Sequence, residues 1–386
     1  MRKQHWLCAA LFLSFAVSVM AQEYTSRQEV LQNEELRQDF TIQGEYLAEV
    51  EGFKVGVHLI ADGGGKFRVV AYPGGLPGDG WKAGQPRMLG TAEVKGGEIS
   101  FNITEGRGNI ANYEIKLPEK IIAMGKVTLT PITQRPQGGQ RDGGQGRGTG
   151  LLRGTPVKIE VSANDAMPDL TLEKQFRQSP TLNARAPEGA IVLFDGTNVD
   201  KFAPGAKINE MQLPEGAQRP ERLPAGFGNT LWAEAATKEP FEKKPYKMHI
   251  EFMLSYMPKA KGQGRSNSGV YVDERYECQV LDSFGLEGEN NECGGFYTMA
   301  KPLVNMCFPP LTWQTYDIEF TPAKYDGGNK TANAKITVKH NGVLIHDNVE
   351  LKQSTPGRKG EGPEPLGLYL QGHGNKVQYR NIWIQY

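Results

Sequence analysis

The sequence predicts an all-β protein, in which a C-terminal antiparallel sandwich of two sheets with jelly-roll topology follows a small β-rich domain. Short segments in which β-branched and aromatic residues alternate with polar ones recur along the chain, as in half-buried strands. The 47 glycines and 24 prolines indicate that many turns separate these segments. Long helical patterns are few, so sheets are expected to supply the core.

Length and charge limit the domain organisation and the partners. A chain of 386 residues is long for one core, so two domains are expected. The 44 lysine and arginine residues balance 44 aspartate and glutamate residues, which leaves no formal net charge. Neither nucleic acid nor an anionic membrane surface is therefore expected as a partner.

The first 21 residues have the pattern of a signal peptide. Two basic residues precede an apolar run from Trp6 to Met20. This run is too short to span a bilayer, and Ala21 supplies the small residue of a cleavage site. We expect export to the periplasm or the medium, with a mature chain that begins at Gln22.

Three cysteines follow the predicted cleavage site: Cys278, Cys293 and Cys307. In an exported protein this odd number allows either one disulfide with a free thiol or no disulfide. No Cys-x-x-Cys pair occurs, so a zinc site built on cysteine is not expected.

The predicted first domain, 22–186, begins with a helix and continues as strands. Ser26 and Glu29 form a capping box for one helix over 26–38. Strand patterns lie at 44–50, 53–61, 66–72, 98–103, 112–117, 120–129, 157–161 and 169–174. The segment 134–150 is almost free of apolar side chains and rich in glycine, so we expect a flexible insertion there.

The predicted second domain, 187–386, is denser in strand patterns. We expect strands at 191–195, 231–235, 246–257, 269–273, 276–281, 314–321, 334–340, 342–347, 367–371 and 377–386. Asn341-Gly342 between two of them is a strong hairpin signal. Turn-separated strands at this density predict a two-sheet sandwich with one concave face, on which a sugar would lie.

One hairpin of this domain, within 267–282, carries a candidate site. Side chains of a strand alternate between its two faces, so Glu277 and Gln279 share one face, about 7 Å apart. A carboxylate and an amide on a rigid strand are suitable partners for a polyhydroxylated ligand. A solvated surface strand is the simpler interpretation of this strand alone.

Seven motifs in chain order carry a family resemblance: FDGTNVDKF, NSGVYV, YECQVLDSF, WQTYDIEF, HNGVLIHD, LGLYLQGHG and YRNIWI. Together they resemble the 3-keto-disaccharide hydrolase domain family over about 190–386, and it is their order that makes the resemblance specific. Members are secreted or periplasmic bacterial proteins with a concanavalin A-like jelly roll. The resemblance implies hydrolysis of 3-keto-glycosides, by loss of the C2 hydrogen, elimination of the aglycone and hydration.

The resemblance also implies the site residues. Glu277 and His373 correspond to catalytic positions, and the strand period of 366–373 independently places Tyr369, Gln371 and His373 on one face. The predicted substrate contacts are Asn267, Ser268, Tyr271, Gln279, Asp282, Tyr369, Gln371 and Arg380. For Arg380 a buried ion pair with an acidic residue is the favoured interpretation. The resemblance allows a divalent metal ion with oxygen and imidazole ligands, although no local spacing of ligands indicates one.

Two other functions fit the same architecture. A non-catalytic carbohydrate-binding protein would use exposed aromatic rings, and Tyr271, Trp313 and Tyr369 are candidates. A conventional glucanase-like hydrolase would use two carboxylates. The spacing of Glu277, Gln279 and Asp282 resembles its E-x-D-x-x-E motif, with an amide in place of the middle acid.

Overall fold

The computed structural model describes residues 21–50, 52–95, 98–107, 127–131, 158–162, 170–211 and 226–386. The predicted signal peptide up to residue 20, the predicted strand at 112–117 and the predicted insertion at 134–150 lie outside these residues.

Two short helices precede the first strand: α1 (Arg27–Gln32) and α2 (Glu34–Ile42). Ser26 caps α1 as predicted, because its Oγ accepts a hydrogen bond from the backbone N–H of Glu29 at 3.2 Å. The expected single helix is wrong, since the chain breaks at Asn33. The Asn33 side chain caps α2 through the backbone N–H of Glu35 at 3.0 Å.

Eight strands then close into a barrel. The strands of this part are β1 (Gly44–Val50), β2 (Phe53–Gly63), β3 (Lys66–Pro73), β4 (Leu76–Pro77), β5 (Gly80–Trp81), β6 (Arg87–Lys95), β7 (Glu98–Arg107), β8 (Val127–Pro131), β9 (Lys158–Ser162) and β10 (Leu170–Gln175). The barrel order is β1-β10-β9-β8-β7-β6-β3-β2, and β4 pairs with β5 apart from it. Side chains such as Tyr46, Leu59 and Phe67 fill the barrel with a hydrophobic cluster, as expected for eight strands.

The second half of the chain is a sandwich of two antiparallel sheets. Its strands are β11 (Ile191–Phe194), β12 (Ile208–Asn209), β13 (Thr230–Trp232), β14 (Ala235–Ala236), β15 (Tyr246–Met253), β16 (Ser268–Val272), β17 (Tyr276–Val280), β18 (Trp313–Thr321), β19 (Lys324–Asp326), β20 (Asn329–Ala332), β21 (Ala334–His340), β22 (Val343–Leu351), β23 (Tyr369–Leu370) and β24 (Gln378–Gln385). The large sheet has the order β12-β13-β24-β15-β18-β21-β22, with β11 also paired to β24. The small sheet has the order β14-β23-β16-β17, and β19 pairs with β20.

The predicted all-β class and the two-sheet sandwich are confirmed. The expected strand at 231–235 is in fact two strands, β13 and β14, which lie in different sheets. Cys278, Cys293 and Cys307 are buried free thiols. Of the two possibilities that the sequence allows, the structure therefore has the one without a disulfide. No helix in the described part of the chain has the length and apolar character needed to cross a membrane.

Candidate functional site

The hairpin of β16 and β17 forms the centre of the site. Tyr271 pairs with Glu277, and Gly269 pairs with Gln279. Directly paired residues of an antiparallel sheet point to the same face, so these four positions share the outer face of the small sheet. Cys278 and its alternate neighbours face the opposite way, into the sandwich core. The predicted division of this strand into a polar face and a core face is thus present.

The turn of the hairpin is strained and charged. Asp273 and Glu274 have φ values of 54° and 45°, in the left-handed region that non-glycine residues rarely adopt. Next to them Arg275 is almost fully buried, and its guanidinium hydrogen-bonds the carbonyl of Gly360 at 2.8 Å and the carboxylate of Asp273 at 2.9 Å. The turn is therefore tied to the loop around residue 360.

A segment before that loop, 355–358, crosses the outer face of the small sheet, and we call it the strap. Thr355 Oγ1 accepts a hydrogen bond from the backbone N–H of Glu277 at 3.0 Å. The Arg358 guanidinium lies 3.9 Å from the ring centroid of Tyr369 and binds Glu274 Oε2 at 2.6 Å. The strap therefore covers the row in which Tyr369, Tyr271 and Glu277 lie side by side.

Burial under the strap changes the proton affinity of Glu277. Its side chain is 4% exposed. Loss of hydration raises the pKa of Glu277 to about 7, although a hydrogen bond from the Tyr271 hydroxyl favours the ionised form. Burial also raises the pKa of the Tyr271 phenol, which therefore stays a donor. A carboxylate with a pKa near 7 is well placed to exchange protons at neutral pH.

Glu277 differs from most other buried carboxylates in this protein. Glu45, Glu251, Asp273 and Asp282 each lie within ion-pair distance of an arginine. Within the described residues Glu277 has no cationic partner in any ion pair. An unpaired buried carboxylate is costly to fold, and such groups are concentrated at functional sites.

An exposed aromatic residue follows the segment that pairs with β17. Phe296 forms a β-bridge with Cys278, the residue after Glu277, and Tyr297 begins the turn that follows this bridge. Phe296 is buried in the core, whereas Tyr297 is 41% exposed. An exposed ring at this edge of the small sheet offers a stacking surface for the apolar face of a sugar.

Further polar groups lie along the same face. Gln371 donates from Nε2 to the Tyr271 hydroxyl at 3.4 Å, and Gln279 donates from Nε2 to Gln263 Oε1 at 3.4 Å. Two buried carbonyl oxygens, Gln371 Oε1 and Asn267 Oδ1, lack a hydrogen-bond partner among the described residues. Buried acceptors without partners are costly, and hydroxyl groups of a sugar would satisfy them.

Comparison with known proteins now identifies the second half of the chain. The model of the 3-keto-alpha-glucoside-1,2-lyase-like domain matches residues 189–385. The chain belongs to this family. The resemblance predicted from the motifs is thereby confirmed, and membership supports a glycoside-cleaving, hydrolase-like function.

Two crystal structures of candidate glycosyl hydrolases from Parabacteroides distasonis are similar to about half of this chain. One is 26% identical with a TM-score of 0.42, and the match covers 52% of this chain and 84% of that chain. The other is 17% identical with a TM-score of 0.30, and the match covers 51% of this chain and 93% of that chain. No curated protein matches the chain.

Three predicted contacts of the lyase-like domain have other partners in the structure. Ser268 donates its hydroxyl to the carbonyl of Gln371 at 2.6 Å. Asp282 is buried and pairs with Arg265 at 2.6 Å. Arg380 pairs with Glu251 at 2.7 Å on the large sheet, in agreement with the favoured interpretation. We therefore leave these three residues out of the proposed site.

His373 lies beyond the end of the strand that pairs with β16. Strand β23 ends at Leu370, and His373 follows in an exposed irregular segment. It lies four residues beyond Tyr369, or about 13 Å along an extended strand. No hydrogen bond or ion pair of the His373 side chain joins it to the described residues. Its catalytic role stays a prediction from the resemblance.

The predicted aromatic platforms are not free surfaces. Tyr271 is 1% exposed under the strap, and Tyr369 is covered by Arg358. Trp313 lies under the guanidinium of Arg380 at 4.0 Å, on the other sheet. Tyr297, which the sequence reasoning did not single out, is an exposed ring in the turn after the bridge between Phe296 and Cys278.

A divalent metal ion does not fit the described part of the lyase-like domain. No three His, Cys, Asp or Glu side chains among the described residues converge on a point that could hold one. The Asn267 and Gln371 oxygens are neutral acceptors on either side of Gly269, and Glu277 is the carboxylate that lies over Gly269 between them. We derive no step through a metal.

Gly269 determines where the Glu277 carboxylate lies, which leads to a first prediction. A Cβ atom at position 269 would lie 2.3 Å from Glu277 Oε1, so Gly269→Ala has to displace the carboxylate. The backbone at Gly269 has no positive φ, and alanine fits its strand conformation. We expect turnover to fall about tenfold or more, with little loss of thermal stability. Gly264→Ala is the matched control, since a Cβ there meets no atom within 4 Å. Equal activity of the two variants would contradict the placement of the carboxylate.

Proposed function

We propose that this protein cleaves 3-keto-glycosides, and that Glu277 is the general base that removes the C2 hydrogen. The family description supports this substrate class, because it names a 3-keto-alpha-glucoside-1,2-lyase-like domain. The observation that carries the role of Glu277 is its burial without a cation, with a pKa of about 7.

The chemistry follows from the ketone at C3. The ketone acidifies the hydrogen on C2, and the glycosidic oxygen on C1 is β to the carbonyl group. Glu277 takes the C2 proton, and the electron pair of the C2–H bond forms the enolate with the C3 ketone. When the enolate returns to the ketone, the C1–C2 double bond forms. The C1–O bond breaks with its electrons on oxygen, which leaves as the alcohol after protonation. Water then adds to C1, and a proton returns to C2 from Glu277.

Other residues of the face fit roles in this reaction. Arg358 lies over Tyr369, close enough for its charge to lower the proton affinity of Tyr271. A guanidinium at this place can stabilise the negative charge of the enolate oxygen. Gln371 and Asn267 have carbonyl oxygens available for sugar hydroxyl groups, and Tyr297 can stack on the ring.

The glucanase-like alternative lacks its second carboxylate. Retaining glycosidases place two carboxyl groups about 5 Å apart. No carboxylate contributes to the pKa shift of Glu277, position 279 is an amide, and the Asp282 carboxylate is bound to Arg265. A double displacement therefore has no nucleophile and acid pair on the described face.

A pair of substrates tests this proposal. The purified protein is incubated with a 3-keto-disaccharide and with the same disaccharide before oxidation, and release of the aglycone sugar is measured. We expect cleavage of the 3-keto form alone, because the C2 hydrogen of the parent sugar is not acidic. Cleavage of the parent disaccharide at a comparable rate would contradict the proposal. Binding of both sugars without cleavage would favour the carbohydrate-binding alternative.

A further inference from the structure

The barrel packs against the sandwich on the side where the β16–β17 hairpin opens. Ile60 of β2 and Tyr72 of β3 point out of the barrel and belong to the same hydrophobic cluster as the sandwich core. The His58 ring stacks on Phe284 with 4.5 Å between ring centroids. The two parts therefore share a continuous buried interface near the end of β17.

A buried ion pair lies at this interface. Arg265 donates from Nε to Asp282 Oδ2 at 2.6 Å, and both side chains are at most 3% exposed. A backbone hydrogen bond joins the same two residues, since the N–H of Asp282 donates to the carbonyl of Arg265 at 3.1 Å. Charge-assisted bonds of this kind are the strongest type of protein hydrogen bond.

The other side of the Arg265 guanidinium belongs to the barrel. Its Nη1 and Nη2 atoms lie 3.4 Å and 3.3 Å from the carbonyl oxygen of Ala61. The carboxylate of Asp62 lies 3.9 Å away. One side chain thus bonds a barrel strand and a sandwich strand end at the same time.

Arg265 and Asp282 flank the candidate site along the chain. Arg265 comes three residues before β16, and Asp282 comes two residues after β17. Their bond therefore holds together the open end of the hairpin that carries Glu277, while Arg275 holds its closed end. Two residues before Arg265, Gln263 contacts Gln279 on the face.

We propose that the barrel is part of the active-site scaffold, and that Arg265 is the positioning residue through which it holds the open end of the hairpin. The expected change in kcat rests on the proposed function. The expected change in the pKa of Glu277 does not, because it depends only on how the hairpin is held. Loosening this end admits water to the face, and hydration of a buried carboxylate returns its pKa toward the ordinary value.

Two arginine-to-lysine variants of the full chain test the proposal. Lysine keeps the charge but loses the planar fork of donors. Arg177 is the matched control, because it binds the buried Glu45 of the barrel and lies 5.3 Å from the ring centroid of Phe308 in the sandwich, while its hydrogen bonds go to Glu45 and Pro77 and not to the hairpin. We expect Arg265→Lys to lower kcat about tenfold and to lower the pKa of Glu277, measured by carbon NMR, by about half a unit or more. Arg177→Lys lowers the Tm but leaves both quantities at the wild-type level.

The outcomes separate the two proposals. A wild-type pKa for Glu277 in Arg265→Lys, or an equal shift in Arg177→Lys, would overturn the role of Arg265. If the lysine variant does not fold, Asp62→Asn on the barrel side is expected to shift the same pKa downward, and no shift would overturn the role. A protein inactive on 3-keto-glycosides would sink the proposed function, while the NMR comparison still decides the role of Arg265.

Discussion

Replacing Glu277 by glutamine is expected to lower turnover of a 3-keto-glycoside by about 10²-fold or more. Glutamine has the same shape but accepts no proton, so the C2 hydrogen has no base. The Michaelis constant is expected to change much less, because the lost interaction belongs to the transition state. Steady-state kinetics of the full chain measure both quantities.

His373→Asn provides the comparison for that experiment. The family resemblance alone predicts an equally large loss for both residues. The structure places His373 in an exposed segment beyond the end of β23, and we expect the turnover of the asparagine variant to fall by less than about tenfold. Losses of equal size would mean that the segment after β23 closes over the face during catalysis. Full activity of Glu277→Gln would mean that the site has been placed wrongly.

The same glutamine substitution is expected to stabilise the protein at alkaline pH. Burial holds the pKa of Glu277 at about 7, above the ordinary value of 4.5. A raised carboxyl pKa favours the folded state below the unfolded pKa, and this stability is lost as the pH rises through the folded pKa. The wild type therefore carries a penalty of up to about 3 kcal/mol at about pH 8, which glutamine removes. Denaturant unfolding at about pH 8 and about pH 4 measures the difference, which is expected to vanish at the lower pH.

Glu45 is the matched control with the opposite sign. Burial opposes its ionisation, but hydrogen bonds from Arg177 and His58 hold the pKa of Glu45 at about 2. Stability from a lowered carboxyl pKa is present above the unfolded pKa and is lost as the pH falls through the folded pKa. Glu45→Gln is therefore expected to destabilise the protein at neutral pH. Destabilisation by Glu277→Gln at about pH 8 would show that its carboxylate has a favourable partner in the folded protein.

The hairpin and its two faces could be predicted because period-two alternation is a local property of the chain. Glu277 and Gln279 lie on the face that the sequence assigns to them. The strap could not be predicted, since its glycine- and proline-containing segment has no period and its position depends on Arg275, which is distant in sequence. A signal existed for Gly269, because a glycine inside a strand often marks close approach of another group.

The face to which His373 points does not follow from the strand period, for a geometric reason. The prediction extended the strand period from Leu366 through His373, whereas the strand in the structure is just Tyr369–Leu370. Beyond its end, alternation no longer determines where a side chain points. The role of Asp282 was hidden for a different reason, because its partner Arg265 is buried by contacts with the barrel.

The barrel shows a similar limit. Its strand segments could be recognised from their alternation, but closure depends on pairing between β1 and β10, which are far apart in the chain. The contact between the barrel and the hairpin also depends on that closure. Neither leaves a local pattern in the sequence.

The most direct measurement of the central claim uses a 3-keto-glycoside labelled with deuterium at C2. Wild-type protein is mixed in excess with labelled or unlabelled substrate at about pH 8, where Glu277 is ionised, and both the cleavage rate and the label in the product are followed. Proton abstraction by Glu277 predicts slower cleavage of the labelled substrate and loss of deuterium from C2. Equal rates together with full retention of deuterium in the product would contradict it.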